Sequence, residues 1–321
     1  MTVDRESDGG SGPSIVVVGE ALIDIVDDGS PREIPGGSPA NVALGLGRLG
    51  APVEFVTWLG DDDRGHRIAA HLEASGVRLA AGGTGAAHTS TATVRLASDG
   101  QPRYEFDVQW DPPRVAETPG WLHVGSIGAF LQPGASTVRD LVTRTASAGG
   151  VVSFDPNIRP ALLPAPAQAR EDFERLAAQT NVLKLSDEDA AWLYPACDTD
   201  EVVDRVLQLG VELVVVTSGP RGSVLATRAE RVLVPGVSVV VADTVGAGDT
   251  YMAALIWQLA RKSTSRISAL DARDLASIGA TSTLAAAITV SRRGADLPSD
   301  VDLAGVLPVK TWPVKTWPVE T

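Results

Sequence analysis

Short apolar runs alternate with stretches of helical spacing along this chain. Runs at 15–18, 53–59, 121–124, 151–154, 181–186, 211–217 and 239–242 are predicted as strands. Their continuous apolar character fits strands covered on both faces, as in a parallel sheet. Residues 272–290 have apolar positions at helical spacing, and a further helix is predicted across 251–256. One region departs from this rhythm. Residues 88–97 alternate Thr and Val, 98–101 read as a hairpin turn, and Tyr104-Glu105-Phe106 begins a return strand. The pattern predicts an α/β fold with helices flanking a mainly parallel sheet, and a separate small β-sheet.

The ends of the chain differ from its middle. Residues 1–13 are rich in Gly, Ser and Asp and are expected to be a disordered tail before a domain spanning 14–306. Residues 307–321 hold a tandem Val-Lys-Thr-Trp-Pro repeat, too short to build a core and expected to be a tail. No apolar run approaches the ~18 residues needed to span a bilayer. The N-terminus lacks the basic-then-apolar layout of a signal peptide. Cys197 is the single cysteine, which excludes an internal disulfide framework. Together these favour the cytoplasm. A net charge of −13 argues against nucleic acid or an anionic membrane as partner. None of the four lysines, Lys184, Lys262, Lys310 and Lys315, follows a glycine, so the Walker A arrangement is excluded.

The densest chemistry lies at Gly246-Ala247-Gly248-Asp249, between the 239–242 run and a helix start. Slim residues let backbone amides approach a ligand, and the first amides of a helix lack intrahelical partners, which makes an anion cradle. Asp249 would repel bound phosphate unless it takes a proton from an attacking hydroxyl, as in phosphoryl transfer. On the local pattern alone, an N-capping aspartate on a core helix explains it equally well.

Asp243-Thr244-Val245-Gly246-Ala247-Gly248-Asp249 resembles the second signature of the PfkB (ribokinase-like) carbohydrate kinases. Pro35-Gly36-Gly37-Ser38-Pro39-Ala40-Asn41-Val42-Ala43 resembles the first, in wording closest to the fructokinase branch, and Asp155-Pro156-Asn157-Ile158-Arg159-Pro160 resembles another segment of that branch. The likeness covers roughly residues 14–298. It implies a ribokinase-like three-layer core with a small β lid, formed by about 21–34 and 88–109, that excludes water from the sugar. It implies ATP and Mg²⁺ as cosubstrate and cofactor, and an anion hole of Gly246, Ala247 and Gly248. Asp249 would be the catalytic base.

The remaining site residues combine local reading with that likeness. Asp24 follows a buried strand, where open α/β sheets bind ligands, although a surface turn is the weightier reading of that residue alone. Gly36 and Gly37 allow close backbone approach, and Asn41 suits sugar hydroxyls; a helix start capped by Ser38 fits the same residues. Arg159 suits sugar or phosphate, or a surface salt bridge. Lys184, at a strand end on the sheet rim, is expected to meet ATP phosphates. Thr217-Ser218-Gly219-Pro220-Arg221-Gly222 resembles the family's nucleotide loop, with Thr217, Gly219 and Gly222 as ligands, against a plain hairpin turn. Ser186 and Asp189 replace the family's Asn-x-x-Glu, so Asp189 stands where Mg²⁺ would be bound and Ser186 near ATP. Ser282 stands where relatives place an adenine contact. Asp243, Val245, Thr289, Arg292 and Gly294 match a monovalent-cation site, with K⁺ as the ion. Lid-mediated dimers are frequent in the family, which makes a homodimer an expectation.

Two patterns are set aside. Gly45-Leu46-Gly47-Arg48-Leu49-Gly50 fits a dinucleotide fingerprint but sits inside a helix, where its glycines serve close packing. Asp61-Asp62-Asp63 reads as a solvated loop and helix cap rather than a metal site. The expected activity is ATP-dependent phosphorylation of a primary hydroxyl of a small sugar, first D-fructose, with 2-keto-3-deoxygluconate and ribose as alternatives. A non-catalytic sugar sensor on the same fold is the alternative of another class.

Overall fold

The structure, a computed structural model, describes residues 14–27, 31–96, 102–262, 267–304 and 315–316. The chain enters through β1 (Ile15–Val18), all four residues buried. It leaves the main sheet for β2 (Leu22–Asp27) and β3 (Arg32–Gly36), then returns through α1 (Ser38–Arg48). Next come β4 (Val53–Val56), β5 (Leu59–Gly60), α2 (Asp63–Glu73), β6 (Val77–Leu79) and β7 (Thr84–Ala86). A second excursion forms β8 (Thr91–Leu96) and β9 (Pro102–Asp107). The chain then alternates regularly. β10 (Trp121–Gly125) leads to α3 (Ser126–Phe130) and α4 (Gly134–Ser147). β11 (Val151–Asp155) leads to α5 (Pro166–Ala177), and β12 (Val182–Ser186) to α6 (Asp187–Leu193) and α7 (Thr199–Gln208). β13 (Leu213–Thr217), β14 (Ser223–Ala226) and β15 (Arg231–Val234) precede α8 (Ala247–Arg261), α9 (Ala272–Val290) and α10 (Asp300–Ala304).

β6-β4-β1-β10-β11-β12-β13 pair in parallel, and β14 and β15 extend the same sheet antiparallel. Alternation along the strands builds two cores. Val17, Phe55, Val215 and Leu225 face α1, α2, α8 and α9. Val18, Leu122, Phe154 and Val216 face α4, α5, α6 and α7. The result is the expected three-layer α/β core. β3-β2-β8-β9 form the separate four-stranded sheet, as the alternation at 88–109 predicts. The 98–101 turn and the 1–13 tail lie outside the described residues.

One expectation fails. Residues 239–242 are not a buried strand: Val240 is 88% exposed and Val241 62%. The valines have strand propensity but no strand edge beside them; Ala242 and Asp243 instead donate their amides to the Val290 carbonyl. At the C-terminus, Lys315–Thr316 form a two-residue strand, β16, paired antiparallel with β15, so part of the tail adds to the sheet edge. Of the decoy glycines, Gly45 and Gly47 serve close packing as read, whereas Gly50 lies past the end of α1 at a φ of 74° with nothing within 4 Å of an added Cβ. Gly45 lies within α1, where an added Cβ would come 2.7 Å from Ala253 of α8.

Candidate active site

The base of the site is the start of α8. Gly246 takes a left-handed φ of 77° and serves as N-cap, which turns the chain sharply into the helix. The amides of Gly248 and Asp249, second and third in the helix, have no intrahelical acceptor and carry the positive end of the helix dipole. Asp249 is 7% exposed. Its carboxylate accepts hydrogen bonds from Ser38 Oγ at 2.7 Å and from Asn41 Nδ2 at 2.8 Å. Ser38 is therefore not the cap of α1; Gly37 holds that position, without a side-chain cap bond. Ser38 was missed as a site residue. The available signal is its spacing of three from Asn41 at a helix start, which puts both side chains on one face. Burial pushes the Asp249 carboxyl above its ordinary range, against the Ser38 and Asn41 hydrogen bonds and the charges of Lys184 and Arg159.

The small sheet covers this floor. Asp24 stands on β2, inside that sheet rather than just past β1, with Ile34 and Ala92 as register partners and Phe106 opposite Ala92. These residues share one face. That face packs Leu22, Ala92 and Phe106 against Ile127, Leu131 and Leu162. An added Cβ on Gly36 would lie 2.0 Å from Asp24 Oδ2, and one on Gly37, at φ 104°, would lie 2.6 Å from the Glu20 carbonyl. Both glycines thus let chain and carboxylate approach closely. Burial pushes Asp24 up to about 6, with Arg159 lowering it and Asp249 raising it. Arg159 is exposed at the cleft mouth and donates to Asn157 Oδ1 at 2.7 Å. The structure thus brings Asp24, Gly36, Gly37, Asn41, Arg159 and Asp249 around one cleft.

Behind the floor, the sheet face under α8 turns polar toward the strand ends. His123 is buried against Ser153 Oγ at 3.1 Å, and burial drives it down to about 3. Lys184 is not on the rim: it is 3% exposed and pairs with Asp155 at 2.9 Å. Its Nζ lies 3.5 Å from where a Cβ on Gly248 would stand. Glu20 was also not anticipated. It is buried, accepts from the Gly128 amide at 2.8 Å, and is pushed up to about 7 by burial.

Other expected ligands have different placements. Asp189 spends both carboxylate oxygens on backbone amides, of Ser186 at 3.0 Å and Ile158 at 2.8 Å. With Ser186 it forms a capping box on α6, a structural task that stands beside its expected Mg²⁺ role. No cluster of three or more His, Cys, Asp or Glu able to hold a metal occurs among the described residues. Ser282 is fully buried and accepts from Gln258 Nε2 at 3.2 Å, so its side chain cannot meet adenine. Gly219 and Gly222 form a tight turn between β13 and β14, with Ser218 N bonded to Gly222 O at 2.8 Å. Thr217 ends β13 half-buried at that turn. Beyond it, the exposed 239–241 valines run toward Gly246. Asp243 accepts from the amides of Val245 and Gly294, and Thr289 Oγ1 lies 2.8 Å from Thr250 Oγ1; Arg292 donates its amide to the Thr289 carbonyl. The five residues of the expected monovalent-cation site are thus gathered around one loop junction.

A three-layer sheet with a covering lid, an amide cradle and a buried carboxylate facing a polar cleft define a phosphotransferase acting on a small polyol. The chain belongs to the pfkB family of carbohydrate kinases, whose pattern matches residues 13–302. It is 36% identical over 267 residues to a fructokinase of Klebsiella pneumoniae, covering 77% of this chain and 84% of the relative. A fructokinase of Xylella fastidiosa with bound ATP superposes at a TM-score of 0.80, with 26% identity over 92% of this chain and 98% of that one. A Vibrio cholerae fructokinase double mutant in a fructose-, ADP- and potassium-bound form superposes at 0.78, with 27% identity, over 92% of this chain and 99% of that one.

Proposed function

We infer that this sugar kinase transfers the γ-phosphoryl group of ATP to a primary hydroxyl of D-fructose. The observation that carries the mechanism is the buried Asp249 carboxylate at the amide cradle, oriented by Ser38 and Asn41. Asp24, Asn41, Arg159 and the Gly36-Gly37 backbone would hold the sugar. Asp249 accepts the proton of the attacking hydroxyl, whose oxygen bonds to the γ-phosphorus as the bond to the ADP oxygen breaks. Amides of the 246–248 cradle, that of Gly248 being without an intrahelical acceptor, would receive charge developing on the phosphoryl oxygens. The Gly219–Gly222 turn and the exposed valines at 239–241 offer a backbone and apolar bed for the nucleotide. Mg²⁺ bound by the ATP phosphates would supply charge neutralisation there. The choice of fructose is supported by the relatives named fructokinase. Measuring ADP release from Mg-ATP with fructose, ribose, 2-keto-3-deoxygluconate, adenosine and no sugar tests it. Fructose should give the highest kcat/KM. A tenfold preference for another sugar contradicts the substrate, and no release with any sugar contradicts the activity.

A further inference from the structure

β11 and β12 carry an ion pair between them, Asp155 with Lys184 at 2.9 Å. Asp155 and Lys184 are both almost wholly buried, at 2% and 4% side-chain exposure. Two charges removed from water cost several kcal/mol each, and an apolar pair of similar volume is often neutral or stabilising by comparison. The pair is also incompletely satisfied: Asp155 Oδ1 has no hydrogen-bond partner among the described residues. Its position is specific. The ammonium ends beneath Gly248, at the cradle.

Charges converge on this ammonium from several elements. Asp155 comes from β11, Asp189 from α6, Asp249 from α8, and neutral His123 lies near on β10. Around Asp249, Lys184 stands behind and Arg159 in front, with Asp24 across the cleft and Asp155 below. Arg159 is exposed and screened by solvent, whereas Lys184 is dry, so its field at Asp249 is the less attenuated of the two. Burial pulls the Lys184 ammonium down, but the three carboxylates outweigh it, and it stays charged.

We propose that the Asp155–Lys184 pair is the positioning unit of the catalytic base: Asp155 fixes the Lys184 ammonium beneath the cradle, and Lys184 keeps the buried Asp249 ionised. Lys184 acts through Asp249 and does not bind the nucleotide. This rests on Asp249 being the base, so the test includes a readout independent of turnover.

The experiment compares wild type with Lys184→Met, Lys184→Arg and the double variant Asp155→Asn/Lys184→Met, which removes both members of the pair and serves if the single variant does not fold. Asp249 is followed directly by ¹³C NMR of aspartate carboxyl carbons against pH, assigned by the resonance lost in Asp249→Asn. Loss of a nearby opposite charge raises a carboxyl by about 1–3 pH units, so the Asp249 midpoint and the acid limb of kcat should rise by roughly one unit or more. Lys184→Arg, which keeps the charge, should hold the midpoint near its wild-type value, and KM for ATP should stay within about twofold in every variant. An unmoved Asp249 midpoint in the Met variants overturns the proposal. A tenfold rise in KM for ATP with that midpoint unmoved makes Lys184 a phosphate ligand instead. Wild-type protein that phosphorylates no sugar, with the midpoint shift still present, removes the kinase reading and the catalytic role with it, and leaves only the coupling of Lys184 to Asp249.

Discussion

Asp249 illustrates what a single residue discloses in sequence and what it conceals. Its type and place after Gly246-Ala247-Gly248 fit the base proposed above, and fit a helix cap as well. Its environment does not follow from neighbours in the chain: Ser38 and Asn41 reach it from more than 200 positions away. Ser38 reads locally as a cap, and only the approach of α1 to α8 gives its hydroxyl another acceptor. Ser282 and Asp189 likewise meet partners that the chain order hides, Gln258 of α8 for the one and the Ile158 amide for the other. Because burial holds Asp249 above the ordinary carboxylate range, the ionised base is lost as pH falls through that raised value. The acid limb of kcat should therefore lie above ~4, the reference for a free aspartate. A profile flat down to pH 4 contradicts the burial assigned to it.

At the level of elements, strands were legible where both neighbours in the sheet are also apolar runs. The predicted strands at 15–18, 151–154 and 181–186 lie within one or two residues of β1, β11 and β12. The 239–242 run looked the same and fails, because strand formation needs a paired edge that sequence cannot display. The packing of α1 on α8 depends on Gly45, whose added Cβ would meet Ala253 and Leu297 at 2.7 Å. Gly45→Val should destabilise the protein by about 1–3 kcal/mol, the usual cost of overpacking. It should also lower kcat, since Asn41 and Asp249 ride on the two separated helices. Denaturant unfolding with parallel kinetics checks this; a stable variant with normal kcat removes the link between helix contact and base geometry.

Across the whole molecule, the layered core and the lid follow from alternation of elements, while the electrostatics of the interior do not. Glu20, buried beneath the lid and raised to about 7, is the clearest case. A carboxyl raised on folding contributes stability that is full below its unfolded value, 4.5, and is lost as pH rises through about 7. Melting temperature should fall across that window, and Glu20→Gln should flatten the fall; an unchanged slope contradicts a neutral Glu20 at low pH. The central claim concerns the assembled site: a sugar cleft with Asp249 as its proposed proton acceptor. It is tested most directly by measuring kcat with Mg-ATP and fructose, beside fructose binding by calorimetry, for wild type and Asp249→Asn. The expected result is a loss in kcat of at least about 10²–10⁴-fold, the range for a general base, with fructose affinity within a fewfold of wild type. Near-normal turnover in Asp249→Asn would contradict the mechanism outright.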